Sequence, residues 1–174
     1  MNENLPIRKQ NRLQNYDYSE AGAYFITICT EKRHKILSEI MDIDFQIVGE
    51  GLPLPQLTRY GKVVDKWINL IPQKYPSVVV DYYVIMPNHI HLLLSVLKYG
   101  GREDPSPTIA SVIGWLKYNA TKEINQLRKP INEKVFQRSY YDHIVRNQKD
   151  YEEISKYIYE NPLQWEFDEL YCKK

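Results

Sequence analysis

Two β-rich runs, Val78–Met86 and His89–Val96, are separated by only Pro87 and Asn88, and this arrangement restricts the fold more than any other feature of the chain. Proline presets φ and asparagine tolerates the left-handed region, so the pair reads as a tight turn joining antiparallel strands. Strand alternation sorts the second run into two faces. Ile90, Leu92, Leu94 and Val96 fall on one, continuously apolar and in need of helices against it. His89, His91, Leu93 and Ser95 fall on the other. Two imidazoles side by side suit two ligands of one metal ion. A His-x-His triplet is short, and a pair of ordinary core or surface histidines stays open as an alternative at this point.

The rest of the chain supplies partners for that hairpin. Ala23–Thr30 is β-rich and predicts a first strand. Short strands are expected at Lys35–Leu37 and Phe45–Val48, and the Gly/Pro run at 49–55 predicts a surface loop. From Leu57 to Ile71 the apolar positions Tyr60, Val63, Val64, Trp67 and Ile68 recur at helical spacing, and Pro72 closes the pattern. Ser106 predicts the cap of a second helix with Pro107 in its first turn. Ile109, Val112, Ile113, Leu116, Ala120, Ile124 and Leu127 form its apolar stripe. Val135–Val145 reads as extended, and a last helix runs from about Lys149 to Glu160, stopped by Asn161-Pro162. The order of elements predicts an α+β, split βαβ architecture with helices on one face of an antiparallel sheet, plus the final helix.

On that last helix Tyr151, Ile154 and Ile158 make the buried stripe, while Tyr157 and Asn161 lie one turn apart beside it. A phenol and a carboxamide can therefore reach one point in space. A phenol with a pKa near 10 is a poor nucleophile at neutral pH, and a nearby divalent cation favours its phenolate and polarises a bound phosphate. The amide oxygen of Asn161 can serve as a third ligand beside His89 and His91. Read in isolation, Tyr157 also fits a core edge and Asn161 a helix end. Tyr159 points elsewhere.

The chain has 174 residues and 43% apolar content, enough for a single domain with its own core. We divide it into a polar arm (1–20), a single main domain (21–165) and a C-terminal tail (166–174). Its two cysteines, Cys29 and Cys172, lack ligand spacing and read as reduced thiols. No apolar leader or span-length apolar run is present, so a cytoplasmic protein without membrane contact is expected. The net charge of +1 hides an uneven distribution: bases cluster over 117–138 and in the N-terminal arm, acids over 150–169. A phosphate-binding face can exist within a neutral total.

Several segments together carry a resemblance. His89-Ile90-His91 after Met86-Pro87-Asn88 is similar to the His-hydrophobe-His signature of the HUH single-tyrosine transposases. Tyr16–Ser19, Gly22–Thr30, Gln137–Asn147 and Tyr157–Pro162 resemble, in order, the branch called REP-associated tyrosine transposases. The resemblance spans about residues 8–165. It implies a ferredoxin-like (RRM-like) fold and a nuclease and strand transferase acting on single-stranded or hairpin DNA, with Tyr157 as nucleophile and His89, His91 and Asn161 as ligands of Mg²⁺ or Mn²⁺. It implies a 5′-phosphotyrosine link and a free 3′-hydroxyl, and it favours a monomer over a dimer that exchanges the final helix. On that basis Arg8, Lys9 and Arg12 are candidates to reach DNA as an arm, Lys117, Lys122 and Arg138 to line the strand's path, and His143 and Arg146 to contact substrate. The 49–55 loop and the near-neutral charge depart from the family pattern. A non-catalytic single-strand-binding module of the same fold and a phosphoesterase using water are the competing readings.

Overall fold

The computed structural model describes residues 20–40, 55–98, 107–128 and 133–171. Strand β1 (Gly22–Cys29) leads through a 3-10 turn, Glu31–Arg33, to the short strand β2 (Ser38–Glu39), which pairs with β3 (Gln56–Leu57). Helix α1 (Arg59–Asn69) and the single turn α2 (Ile71–Lys74) precede the hairpin of β4 (Val78–Ile85) and β5 (His89–Val96). Helix α3 (Ile109–Arg128), strand β6 (Tyr141–Val145) and helix α4 (Gln148–Glu160) follow, and a 3-10 helix, Asn161–Phe167, is the last described element. The four main strands lie in the order β4-β5-β1-β6, all neighbours antiparallel. Numbered along the chain, that is the 2-3-1-4 order of a ferredoxin-like sheet.

Alternation along β5 works as its sequence demands. Ile90, Leu92, Leu94 and Val96 join Tyr24, Ile26 and Ile28 of β1 in the main core, under Val64 and Ile68 of α1 and Val112, Leu116 and Ala120 of α3. Trp67 Nε1 and Lys66 Nζ both donate to Glu123, tying α1 to α3. The opposite face carries a second, smaller core of Val84, Met86, Leu93, Ile158 and Trp165, with Phe25, Tyr151 and Ile154 at its edge. Helix α4 therefore covers the face that α1 and α3 leave open.

Local departures from the expected elements have physical causes. The first short strand falls at Ser38–Glu39 rather than Lys35–Leu37, because Leu37 N–H is used on Pro87 O and Ser38 Oγ on Ile85 O. The expected strand at Phe45–Val48, the 49–55 loop and the Ser106 cap lie outside the described residues; Thr108 Oγ1 accepts from Ser111 N–H at the start of α3. Helix α1 begins at Arg59 because Thr58 Oγ1 accepts from the N–H groups of Tyr60 and Gly61. Gly61 is required by contact: a Cβ there would lie 2.0 Å from Leu37 O. Within Val135–Val145 only 141–145 enters the sheet, while Phe136 makes an isolated bridge to Thr30. Asn161 keeps helical angles despite the following proline, since the chain tightens into a 3-10 helix that accepts Pro162 in its first turn.

Candidate active site

The turn at Pro87-Asn88 is gripped from below. Thr30 N–H and Oγ1 both donate to Asn88 O, at 2.9 and 3.0 Å. The Asn88 side chain is anchored too. Its Nδ2 donates to Leu170 O, so its Oδ1 faces His89 Nδ1 at 2.8 Å and can only accept. That fixes the proton of His89 on Nδ1 and leaves a lone pair on Nε2. Across the sheet, Thr27 Oγ1 sits 2.8 Å from His91 Nδ1, and accepting there gives His91 the same tautomer. The two Nε2 atoms are 3.0 Å apart. Both rings are buried, His89 under Trp165 and His91 stacked on Phe25.

Burial holds both imidazoles neutral. Desolvation lowers His89 to about 4, opposed by the carboxylate of Asp168 and reinforced by the Arg33 charge. His91 is lowered well below its ordinary value, by desolvation first and His89 second. Neutral imidazoles are the form that binds metal.

Asp168 is the residue that the sequence did not single out. It stands just past the 3-10 helix, in the stretch expected to be tail, and its side chain is only 2% exposed. Its Oδ2 accepts from Asn161 Nδ2 at 2.9 Å and lies 4.0 Å from His89 Nε2, and its Oδ1 accepts from Leu170 N–H at 2.6 Å. Among the described residues no Lys or Arg pairs with it. Ligand atoms of His89, His91 and Asp168 all lie within 4.8 Å of one another. Two imidazole nitrogens 3.0 Å apart, beside a buried carboxylate that no Lys or Arg pairs with among the described residues, fit a cation, since burying such a charge without a partner is expensive. Asn161 joins the same cluster from the end of α4. Its nitrogen is committed to Asp168, and its Oδ1 is buried with no hydrogen-bond partner.

Tyr157 completes the group within the same chain. Its hydroxyl lies 3.4 Å from both His91 Nε2 and Asp168 Oδ2, and its ring meets Phe25 edge-on. Packing of Tyr151, Ile154 and Ile158 against the small core sets the rotation of α4 that brings Tyr157 here. Partial burial, then the charge of Asp168, pushes the phenol up to about 12. The ring stays 43% exposed, on the wall of a cavity of about 680 Å³. Tyr159 faces solvent.

The proposed DNA contacts are dispersed. Arg8, Lys9 and Arg12 lie outside the described residues. Lys117 is half-buried, its Nζ donating to Gln137 O and Arg138 O, so it braces the segment that walls the cavity. Lys122 is exposed on α3, on the far side of the sheet from the histidines. Arg138 is exposed between Gln137 and Ser139, which line the cavity. His143 shares the histidine face through its register with Phe25, and its Nε2 contacts Asp150 Oδ2 at 3.0 Å. Arg146 is exposed and gives its N–H to the same carboxylate.

Residues 57–161 match the family model described as Transposase IS200 like. An uncharacterized protein of Haemophilus influenzae is 32% identical over 98% of this chain and 96% of its own length. A provisionally named REP-associated tyrosine transposase of the same organism is 26% identical, over 91% of this chain and 81% of its own. The solved structure of a REP-associated tyrosine transposase bound to a REP hairpin superposes with a TM-score of 0.62 at 20% identity, covering 90% of this chain and 76% of that one. It has the same fold.

Proposed function

Because the chain belongs to the IS200-like transposase family, we propose that it is a metal-dependent single-strand DNA endonuclease and strand transferase with Tyr157 as nucleophile. The observation that carries this reading is the meeting of Tyr157 Oη, His91 Nε2 and Asp168 Oδ2 within 3.4 Å contacts on one cavity wall. His89, His91 and Asp168 would hold a divalent cation, Mg²⁺ or Mn²⁺, with Asn161 Oδ1, buried and without a hydrogen-bond partner, as a further donor. When bound, that ion supplies Lewis-acid polarisation of a phosphate oxygen and favours the phenolate. Tyr157 Oη attacks a backbone phosphorus, the bond from phosphorus to the 3′-oxygen breaks, and the leaving oxygen takes a proton to become a free 3′-hydroxyl. The phenol proton passes towards Asp168 or solvent. The resulting 5′-phosphotyrosine keeps the energy of the broken bond, so the strand can be rejoined without a nucleotide cofactor.

Hairpin DNA is the proposed substrate, since the structural relative is one bound to a REP hairpin. Among the described residues no helix is long and apolar enough to cross a membrane. The nucleophile and both histidines meet within one chain, which supports the reading of a monomer. The test is to incubate the protein with end-labelled hairpin DNA and Mn²⁺ and to look for a denaturation-resistant adduct. Adduct from the native chain and none from Tyr157→Phe is the expected result. Cleavage without adduct would replace this reading by hydrolysis through water, and binding without cleavage by the non-catalytic module.

A further inference from the structure

The phosphoryl chemistry uses the part of the cavity wall formed by His91, Tyr157, Asn161 and Asp168. The wall also holds three side chains with no part in that chemistry: Tyr141 from the edge strand β6, Phe167 from the end of the 3-10 helix, and Arg33 from the turn after β1. Phe167 is 87% exposed and Tyr141 54%. Large rings in water add nothing to a core, and here two come from separate elements onto the cavity that contains Tyr157. Arg33 sits at φ 55, in the left-handed region where a residue with a Cβ is strained. Its guanidinium spends one donor on Glu169 O at 3.4 Å, and the fork has others to offer.

We propose that Phe167, Tyr141 and Arg33 form a nucleotide subsite next to the nucleophile. The two rings stack on an unpaired base adjoining the phosphate at Tyr157, and Arg33 meets a neighbouring backbone phosphate. This rests on the reading of Tyr157 as the position of the reacting phosphate. The chemistry of the wall selects a nucleotide. Aromatic faces suit a base plane, the guanidinium suits a phosphate, and the amides of Gln137 and Gln164, on the same wall, offer both donor and acceptor to a base edge. Stacking is tolerant of sequence, so the subsite selects for an unpaired base rather than for a particular one.

The test is a binding measurement on the full chain in EDTA, which separates it from cleavage. The probe is a DNA hairpin with a single-stranded tail carrying 2-aminopurine at each tail position in turn, with a matched set bearing an abasic site. One tail position is expected to show quenched fluorescence on binding. Phe167→Ala and Tyr141→Ala each weaken binding of the intact tail about 10-fold and abolish the quench, yet leave the affinity for the tail that is abasic at that position unchanged. Arg33→Gln lowers the salt slope by about one phosphate contact and keeps the quench. The subsite is wrong if no tail position is quenched, or if the ring variants bind intact and abasic tails with equal loss or no loss. It is equally wrong if the chain binds no tailed hairpin. Quenching that disappears in Phe167→Ala, beside an adduct that persists in Tyr157→Phe, would retain the subsite and remove the nucleophile assignment.

Discussion

Strand β5 contributes to two regions built on different terms. Its even-numbered residues, Ile90, Leu92, Leu94 and Val96, are sealed among apolar side chains of α1 and α3. Its odd-numbered residues begin with His89 and His91, equally buried but surrounded by polar atoms with specific partners: Asn88 Oδ1, Thr27 Oγ1 and Asp168 Oδ2. Burial on the first face lowers free energy in proportion to area. On the second it raises the cost of every charge, which keeps the imidazoles neutral, and among the described residues no Lys or Arg pairs with the Asp168 carboxylate. One face holds the molecule together and the other carries the cluster proposed to bind a cation. The contrast explains how one eight-residue strand serves both without compromise: alternation keeps the two environments on opposite sides of the sheet.

The largest effect that can break this contrast is at Tyr157. Tyr157→Phe is expected to reduce adduct formation by a factor on the order of 10³ or more, with thermal unfolding unchanged because the hydroxyl contacts are long. A variant that unfolds at lower temperature in step with its lost activity would show that the two faces are not separable. From the other side, Leu92→Ala should cost about 2–5 kcal/mol in urea unfolding, while adduct formed per folded molecule stays near the native level.

Next in size is Asn88→Ala. It deletes the acceptor that fixes the His89 tautomer but touches no ligand position itself. Calorimetric titration with Mn²⁺ is expected to show affinity lowered about 10–100-fold; an unchanged affinity would mean that the anchoring of His89 is irrelevant. Gly61→Ala is a smaller stability effect, about 1–3 kcal/mol, because the added methyl meets backbone at Leu37 rather than a side chain that can turn away. A neutral result in the same unfolding assay would show that the β2 segment yields.

The smallest expected effect is that of pH. The folded value of His89, about 4, lies below its unfolded value of about 6.5, and His91 shifts in the same direction. The unfolded chain therefore takes up protons first as pH falls. Stability from this pair is full above about pH 7 and declines between roughly 6.5 and 4. In His89→Gln that slope should flatten, as read from urea midpoints at pH 7 and pH 5. A steeper slope in the variant would contradict the assignment.

What could be read in advance follows from which signals are local. The hairpin, the two faces of β5 and the stripe Tyr151, Ile154, Ile158 are periodic patterns within single elements, and the folded chain uses each of them. The position of Tyr157 beside that stripe was visible for the same reason. Asp168 was not, because one acid among Glu166, Asp168 and Glu169 carries no periodic mark. The carbonyl partners of Lys117 at Gln137 and Arg138 were not legible either, since they lie in another segment.

By itself the sequence determined the strand and helix order, the side of the sheet that would carry two imidazoles, and the one-turn spacing of Tyr157 and Asn161. These depend on the 2.0 and 3.6 residue periods of the backbone, which need no knowledge of the rest of the molecule. Only the tertiary structure decided that α4 lies over the histidine face, that the 3-10 helix after Pro162 returns Asp168 to within 4.0 Å of His89, and that Asn88 and Thr27 orient the rings. Those contacts join residues up to 82 positions apart, and their geometry is set by packing between elements, which no local period encodes.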